Sequence, residues 1–127
     1  MQFNLSVEKK QAGVYIVSLS GSVDSENYVD LEYKLKDVVA LPLKVVILDM
    51  EQLEYINSAG LSSIFHTRTA IENSNGTFIM INLKPHIKRA FDIFKAIPSM
   101  DIFESMSEAD AYLDRLQREN NREDNKK

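Results

Sequence analysis

At 127 residues, 44% of them hydrophobic, the chain has room for one globular domain and enough apolar side chains to give it a core. It contains no cysteine, which excludes a disulfide framework, a thiolate nucleophile and a thiol metal site. With 15 basic against 19 acidic residues the net charge is −4, which argues against nucleic acid as a partner. The opening MQFNLSVEKK lacks an apolar core, so no signal peptide is expected. No apolar run approaches the ~20 residues of a membrane span, so direct membrane insertion is not expected either.

Phe3, Leu5 and Val7 alternate with Asn4, Ser6 and Glu8, the pattern of a half-buried strand at a sheet edge. A turn at Lys9–Gly13 leads into a second strand, Val14–Ser20, close enough to form a hairpin with the first. Gly21–Ser25 breaks that pattern, and Asp24 or Ser25 can cap a helix in which Tyr28, Leu31, Leu35 and Val38 make one apolar face. Pro42 ends it. Val45–Leu48 is a short apolar run, mostly β-branched and without alternation, as in a strand buried on both faces of a parallel sheet. Asp49 ends this strand, and Met50–Ile56 reads as a loop.

A helical pattern follows through Leu61, Ile64, Phe65, Arg68 and Ile71, with Asn57 as its N-cap and Ser58 as its first residue. Gly76 suits the left-handed position past its C-terminus. Thr77–Leu83 is the next strand. A third helix starts at Pro85 and buries Ile87, Ala90, Phe91, Phe94 and Ile97 before Pro98 stops it. Ile102-Phe103 is a short edge strand. Ser105 and Glu108 have capping-box spacing, with Ser107 as an alternative cap, and Tyr112, Leu113 and Leu116 face the core from the last helix. Domain 1–117 is followed by 118–127, which lacks apolar residues and reads as a disordered charged tail. The order β-β-α-β-α-β-α-β-α predicts an α/β single domain: a mixed, mostly parallel sheet of four to five strands with about four helices.

Few constellations can carry chemistry. His66 and His86 have no Asp or Glu at ligand spacing, so neither a metal site nor a cofactor is expected. Gly13, Gly21, Gly60 and Gly76 form no dinucleotide or phosphate loop, and no G-x-S-x-G elbow surrounds Ser58, so no catalytic residue is assigned. Lys84, His86, Lys88 and Arg89 cluster at the third helix, as a solvated face or a surface for an acidic partner. Ser58 sits where open α/β sheets place their sites, at the carboxyl end of a strand. It is either a small polar residue filling a first turn or a regulatory hydroxyl. A phosphate there would meet free N–H groups and the positive end of the helix dipole. Gly60 would keep the surface beside it low.

The run Asn57-Ser58-Ala59-Gly60-Leu61 after a strand and loop resembles the signature of the STAS domain, the family of sulfate transporters and anti-sigma-factor antagonists. Gly21–Asp24 resembles its earlier G-x-x-D element, and Asp101–Phe103 with Ser107–Ala109 its closing strand and helix. The resemblance spans about Phe3 to Leu116. It implies a cytoplasmic, non-enzymatic antagonist that binds an anti-sigma factor with serine kinase activity. Phosphorylation of Ser58 would switch it off and a serine phosphatase would reset it. Asp24, Asn57, Ser58, Ala59 and Gly60 would lie in or near the partner face. Asn57 stands where many antagonists carry an acidic residue, which keeps the cap and removes one charge. The alternatives are a non-phosphorylated accessory or scaffold subunit of a transporter or signalling complex, and a small nucleotide-binding protein or enzyme using the same sheet-end site.

Overall fold

The computed structural model describes residues 2–93 and 101–125 of the chain. Within them the elements run β1 (Asn4–Gln11), β2 (Val14–Val23), α1 (Tyr28–Val39), β3 (Val45–Ile56), α2 (Ser58–Asn73), β4 (Thr77–Ile81), α3 (Pro85–Ile93), β5 (Asp101–Phe103) and α4 (Met106–Asn125). The sheet order is β1-β2-β3-β4-β5. The β1–β2 hairpin is antiparallel, and every later pairing is parallel. This is the mixed, mostly parallel α/β sheet with four helices that the alternating patterns predict.

Because β2 to β5 lie side by side in chain order, right-handed crossovers put α1, α2 and α3 on one face. That face holds the larger core, where Leu31, Leu35 and Val38 of α1, Leu61 and Ile64 of α2, and Ile87 and Phe91 of α3 pack on β2, β3 and β4. The rings of Phe65 and Phe91 meet edge-on at 6.1 Å, joining α2 to α3. The opposite face is covered by α4, whose Ala109, Tyr112 and Leu113 pack against Val14, Ile47, Ile79 and Ile81. Phe94, Ile97 and Pro98, expected to extend and end α3, lie outside the described residues.

The largest departure from the sequence reading is at β3. Met50–Ile56 is strand, not loop, and β2 likewise runs on through Gly21 to Val23. Two bulges hid this. Ser18 pairs with Asp49 but Ser20 with Gln52, and Gly21 pairs with Leu53 but Ser22 with Tyr55. Each shift inserts one extra residue into β3. Burial therefore falls on Met50, Leu53 and Ile56, a spacing of three that resembles neither a strand nor a helix. Gly21 has φ +84°, and a Cβ there would lie 1.7 Å from the carbonyl oxygen of Gln2, so no other residue fits without moving the start of the chain.

Two boundaries also move, and at α4 the expected capping box forms. β4 stops at Ile81 because Asn82 turns the chain at φ +60°. The left-handed residue after α2 is Asn75 (φ +65°) rather than Gly76. At α4 the Ser105 hydroxyl accepts the Glu108 N–H at 3.3 Å, and the Glu108 carboxylate accepts the Glu104 N–H at 2.9 Å, so Ser105 and not Ser107 is the cap. Within 118–127, expected as a disordered tail, the backbone is helical to Asn125. No glycine or proline interrupts that stretch, and its Arg, Gln and Glu residues are good helix formers. Gln117, Arg118 and Glu119 are exposed.

Candidate functional site

The parallel arrangement of β2, β3 and β4 brings the amino ends of α1, α2 and α3 to one edge of the sheet. At its centre the Asn57 side-chain oxygen accepts the Gly60 N–H at 2.9 Å, and α2 begins at Ser58. Ser58 is exposed, with Asn57 and Ala59 half-buried on either side. Gly60 departs from expectation. It is buried, and a Cβ on it would sit 2.7 Å from Cγ1 of Ile56 and 2.8 Å from Cγ1 of Val23. Its missing side chain lets the first turn of α2 seat on the ends of β2 and β3, so it supports the surface from beneath instead of lowering it.

Asp24 joins the same edge. Its carboxylate accepts the N–H groups of Glu26 (2.9 Å) and Asn27 (3.2 Å), while the Asn27 side-chain oxygen accepts the Asp24 N–H at 2.8 Å. The Asn27 side-chain amide donates to the Ser22 carbonyl. These mutual bonds tie 22–27 into a turn and delay α1 to Tyr28, three residues later than the expected start near Ser25. The Asn57 N–H donates to the Val23 carbonyl at 3.0 Å, locking the Asp24 turn against the start of α2. Four of the five sequence-predicted residues thus form one patch, Asp24, Asn57, Ser58 and Ala59, with Gly60 below it.

Sequence reasoning missed two attachments. Glu54, assigned to a loop, lies on β3 and receives the Lys84 ammonium on its carboxylate and the His86 Nε2–H on its carbonyl, the latter at 2.6 Å. The Lys84 hydrogen bond and charge hold the Glu54 carboxyl below its ordinary range, with His86 acting in the same direction and desolvation opposing them. Half of the basic cluster is therefore bound to the strand that delivers Ser58. On the other flank the Ser63 hydroxyl donates to the Ala59 carbonyl at 3.1 Å and meets the Glu32 carboxylate of α1 at 3.3 Å. Neither attachment has a local signal, since each joins residues about 30 positions apart.

Comparison with known proteins fits this geometry. The STAS domain family matches residues 6–109. The chain belongs to the STAS domain family. It is 35% identical over 81 residues to the "Putative anti-sigma factor antagonist BtrV" of Bordetella bronchiseptica, covering 64% of this chain and 70% of the relative. An anti-sigma factor antagonist from Mycobacterium paratuberculosis superposes with a TM-score of 0.77 at 22% identity, covering 87% of this chain and 93% of that one. The Bacillus cell fate determinant SpoIIAA in its phosphorylated form superposes with a TM-score of 0.66 at 19% identity, covering 89% and 99%. These two structures support the fold. Among the described residues no helix is long and apolar enough to cross a membrane.

Proposed function

We propose that the chain is an anti-sigma-factor antagonist. Through a surface centred on Asp24, Asn57, Ser58 and Ala59 it holds an anti-sigma factor that is also a serine kinase, and phosphorylation of Ser58 releases that partner. The carrying observation is an exposed serine at the first position of an Asn-capped helix in a STAS domain, with a relative named for this role. Residues 1–117 form the working unit, no reaction is assigned to the chain itself, and the partner's role places it in the cytoplasm. A serine phosphatase resets the cycle.

The switch acts at the interface. Phosphoserine adds about −1.5 to −2 charges at neutral pH. At a helix N-terminus an anion is favourable by ~0.3–1 kcal/mol, so α2 stays folded. A partner surface shaped for a hydroxyl must instead accommodate a dianion. Burying such a charge without a counter-charge costs several kcal/mol, enough to weaken binding by orders of magnitude.

The test is calorimetric binding to the anti-sigma factor together with mass spectrometry after incubation with ATP. Ser58→Ala binds like wild type and resists release, Ser58→Asp binds weakly with a near-normal melting temperature, and one phosphate is found on Ser58. Tight binding by Ser58→Asp, or phosphate on Ser62 or Ser63 instead, overturns the assignment. Asn57 favours one second reading, a scaffold or accessory subunit that binds without being modified, because it removes the charge that many antagonists carry before the serine. Binding with no phosphate on Ser58 selects that reading.

A further inference from the structure

The patch around Ser58 is too small to be the whole of an interface. A stable complex buries about 800 Å² on each partner, from some 20–30 residues. Asp24, Asn57, Ser58 and Ala59 supply four. The footprint must extend, and on the α3 side Lys84 and His86 are already engaged by Glu54.

On the α1 side the surface is open. A groove of about 430 Å³ runs between α1 and α2, floored by Leu35, Val39 and Ala70 and flanked by Lys36 and His66. Ser58, Ser62 and His66 follow one another at four-residue spacing, so the stripe of α2 that carries Ser58 runs into the groove's lip. Beyond Lys36 on α1 two of the large apolar side chains are exposed, Val29 (43%) and Tyr33 (65%), and the Lys36 ammonium lies 5.7 Å from the centre of the Tyr33 ring. Glu32 also lines the groove, with its carboxylate 3.3 Å from the Ser63 hydroxyl of α2. This side of α1 therefore carries one cation, Lys36, and one exposed aromatic ring, Tyr33, with Glu32 one turn before Lys36. Tyrosine is enriched among the residues that dominate binding energy.

We infer that the α1–α2 groove is the second half of the anti-sigma factor's footprint, receiving an apolar segment of that partner with an acidic residue placed opposite Lys36. The groove spans Glu32 to Val39 on α1, eight residues and about 10 Å of helix, enough for two turns of a partner helix. Recognition is then divided. The groove supplies affinity whatever the state of Ser58, and the Ser58 patch supplies the switch. This inference rests on the antagonist reading.

The experiment measures the dissociation constant of the purified anti-sigma factor for the full chain by calorimetry, with thermal melts alongside. Tyr33→Ala, Lys36→Glu and Ala70→Arg are each expected to weaken binding roughly tenfold or more at unchanged melting temperature. Lys34→Ala, whose ammonium lies over the Phe3 ring on the other flank of α1, leaves it unchanged. If Ser58→Asp loses binding while Lys36→Glu and Tyr33→Ala stay within twofold of wild type, the groove is overturned and the antagonist reading stands. If wild type does not bind, or Ser58→Asp binds as tightly as wild type, the antagonist reading fails and the groove falls with it. Lys36→Glu and Tyr33→Ala change exposed side chains, so the result survives even if Ala70→Arg unfolds.

Discussion

The two halves of β3 differ in almost everything except being one strand. Val45–Asp49 is hydrogen-bonded on both sides, to β2 and β4, and helices cover both of its faces. From Met50 to Ile56 the strand is paired only with β2, is bulged twice, and exposes Glu51, Gln52, Glu54 and Tyr55. The first half holds the domain together. The second carries the chain out past the sheet to Asn57 and Ser58, where a partner can reach them. The buried half is defined by uninterrupted apolar character and the exposed half by irregularity, and the candidate site is attached to the irregular one.

Substitution of equivalent severity should separate the halves most clearly. Leu48 is fully buried, and Leu48→Ala is expected to cost about 2–5 kcal/mol in denaturant unfolding. Tyr55→Ala, at a side chain 52% exposed, should stay within about 0.5 kcal/mol. Comparable losses at both positions would mean that the outer half is as much core as the inner.

This division also explains what was readable beforehand. The inner strand follows from its uninterrupted apolar run, and the hairpin and the four amphipathic helices from periods of two and 3.6. Asn57 and Ser58 were legible because a cap is local chemistry, resolved within four residues. The outer parts of β2 and β3 were not, because each bulge resets the period and because Gly21 looks like a break when it is a bend within a strand. Gly60 was legible as a signature residue but not as a buried one. Its role depends on Val23, which lies 37 positions earlier and reaches it only through the sheet.

Gly60 gives the next test. Gly60→Ala puts a methyl into Ile56 and Val23, and overpacking typically costs about 1–3 kcal/mol. Alanine returns up to ~1 kcal/mol in helix propensity. A net loss of about 1 kcal/mol is expected, with amide exchange accelerated in the first turn of α2 and unchanged at Val46–Leu48. A stabilised variant would show that α2 does not need this close seat. Asn57→Ala should cost about as much, ~1 kcal/mol, through loss of the bond to the Gly60 N–H, while Asn57→Asp should retain the cap. At the far end of the chain, we propose that residues after Gln117 add helix without adding core, so truncation there should change stability by no more than about 0.5 kcal/mol. A larger loss would mean that the end of α4 docks on the domain.

The smallest effect concerns the tie between the outer half of β3 and α3. Lys84 lowers the Glu54 carboxyl below its ordinary value of 4.5. A carboxylate whose folded value is depressed contributes stability that is fully present above its unfolded value. The contribution disappears as pH falls through the folded value. The difference in melting temperature between wild type and Glu54→Gln should therefore persist down to about pH 5 and shrink below the ordinary carboxylate range. Because the pair is exposed, the whole difference should be small and should fall further in high salt. The Glu54 carbonyl bond to His86 survives the substitution, so the outer strand and α3 stay joined when the charge is removed. If the difference persists undiminished at pH 3, the carboxylate is not its source, and the His86 contact alone would account for how α3 is held to the strand that presents Ser58.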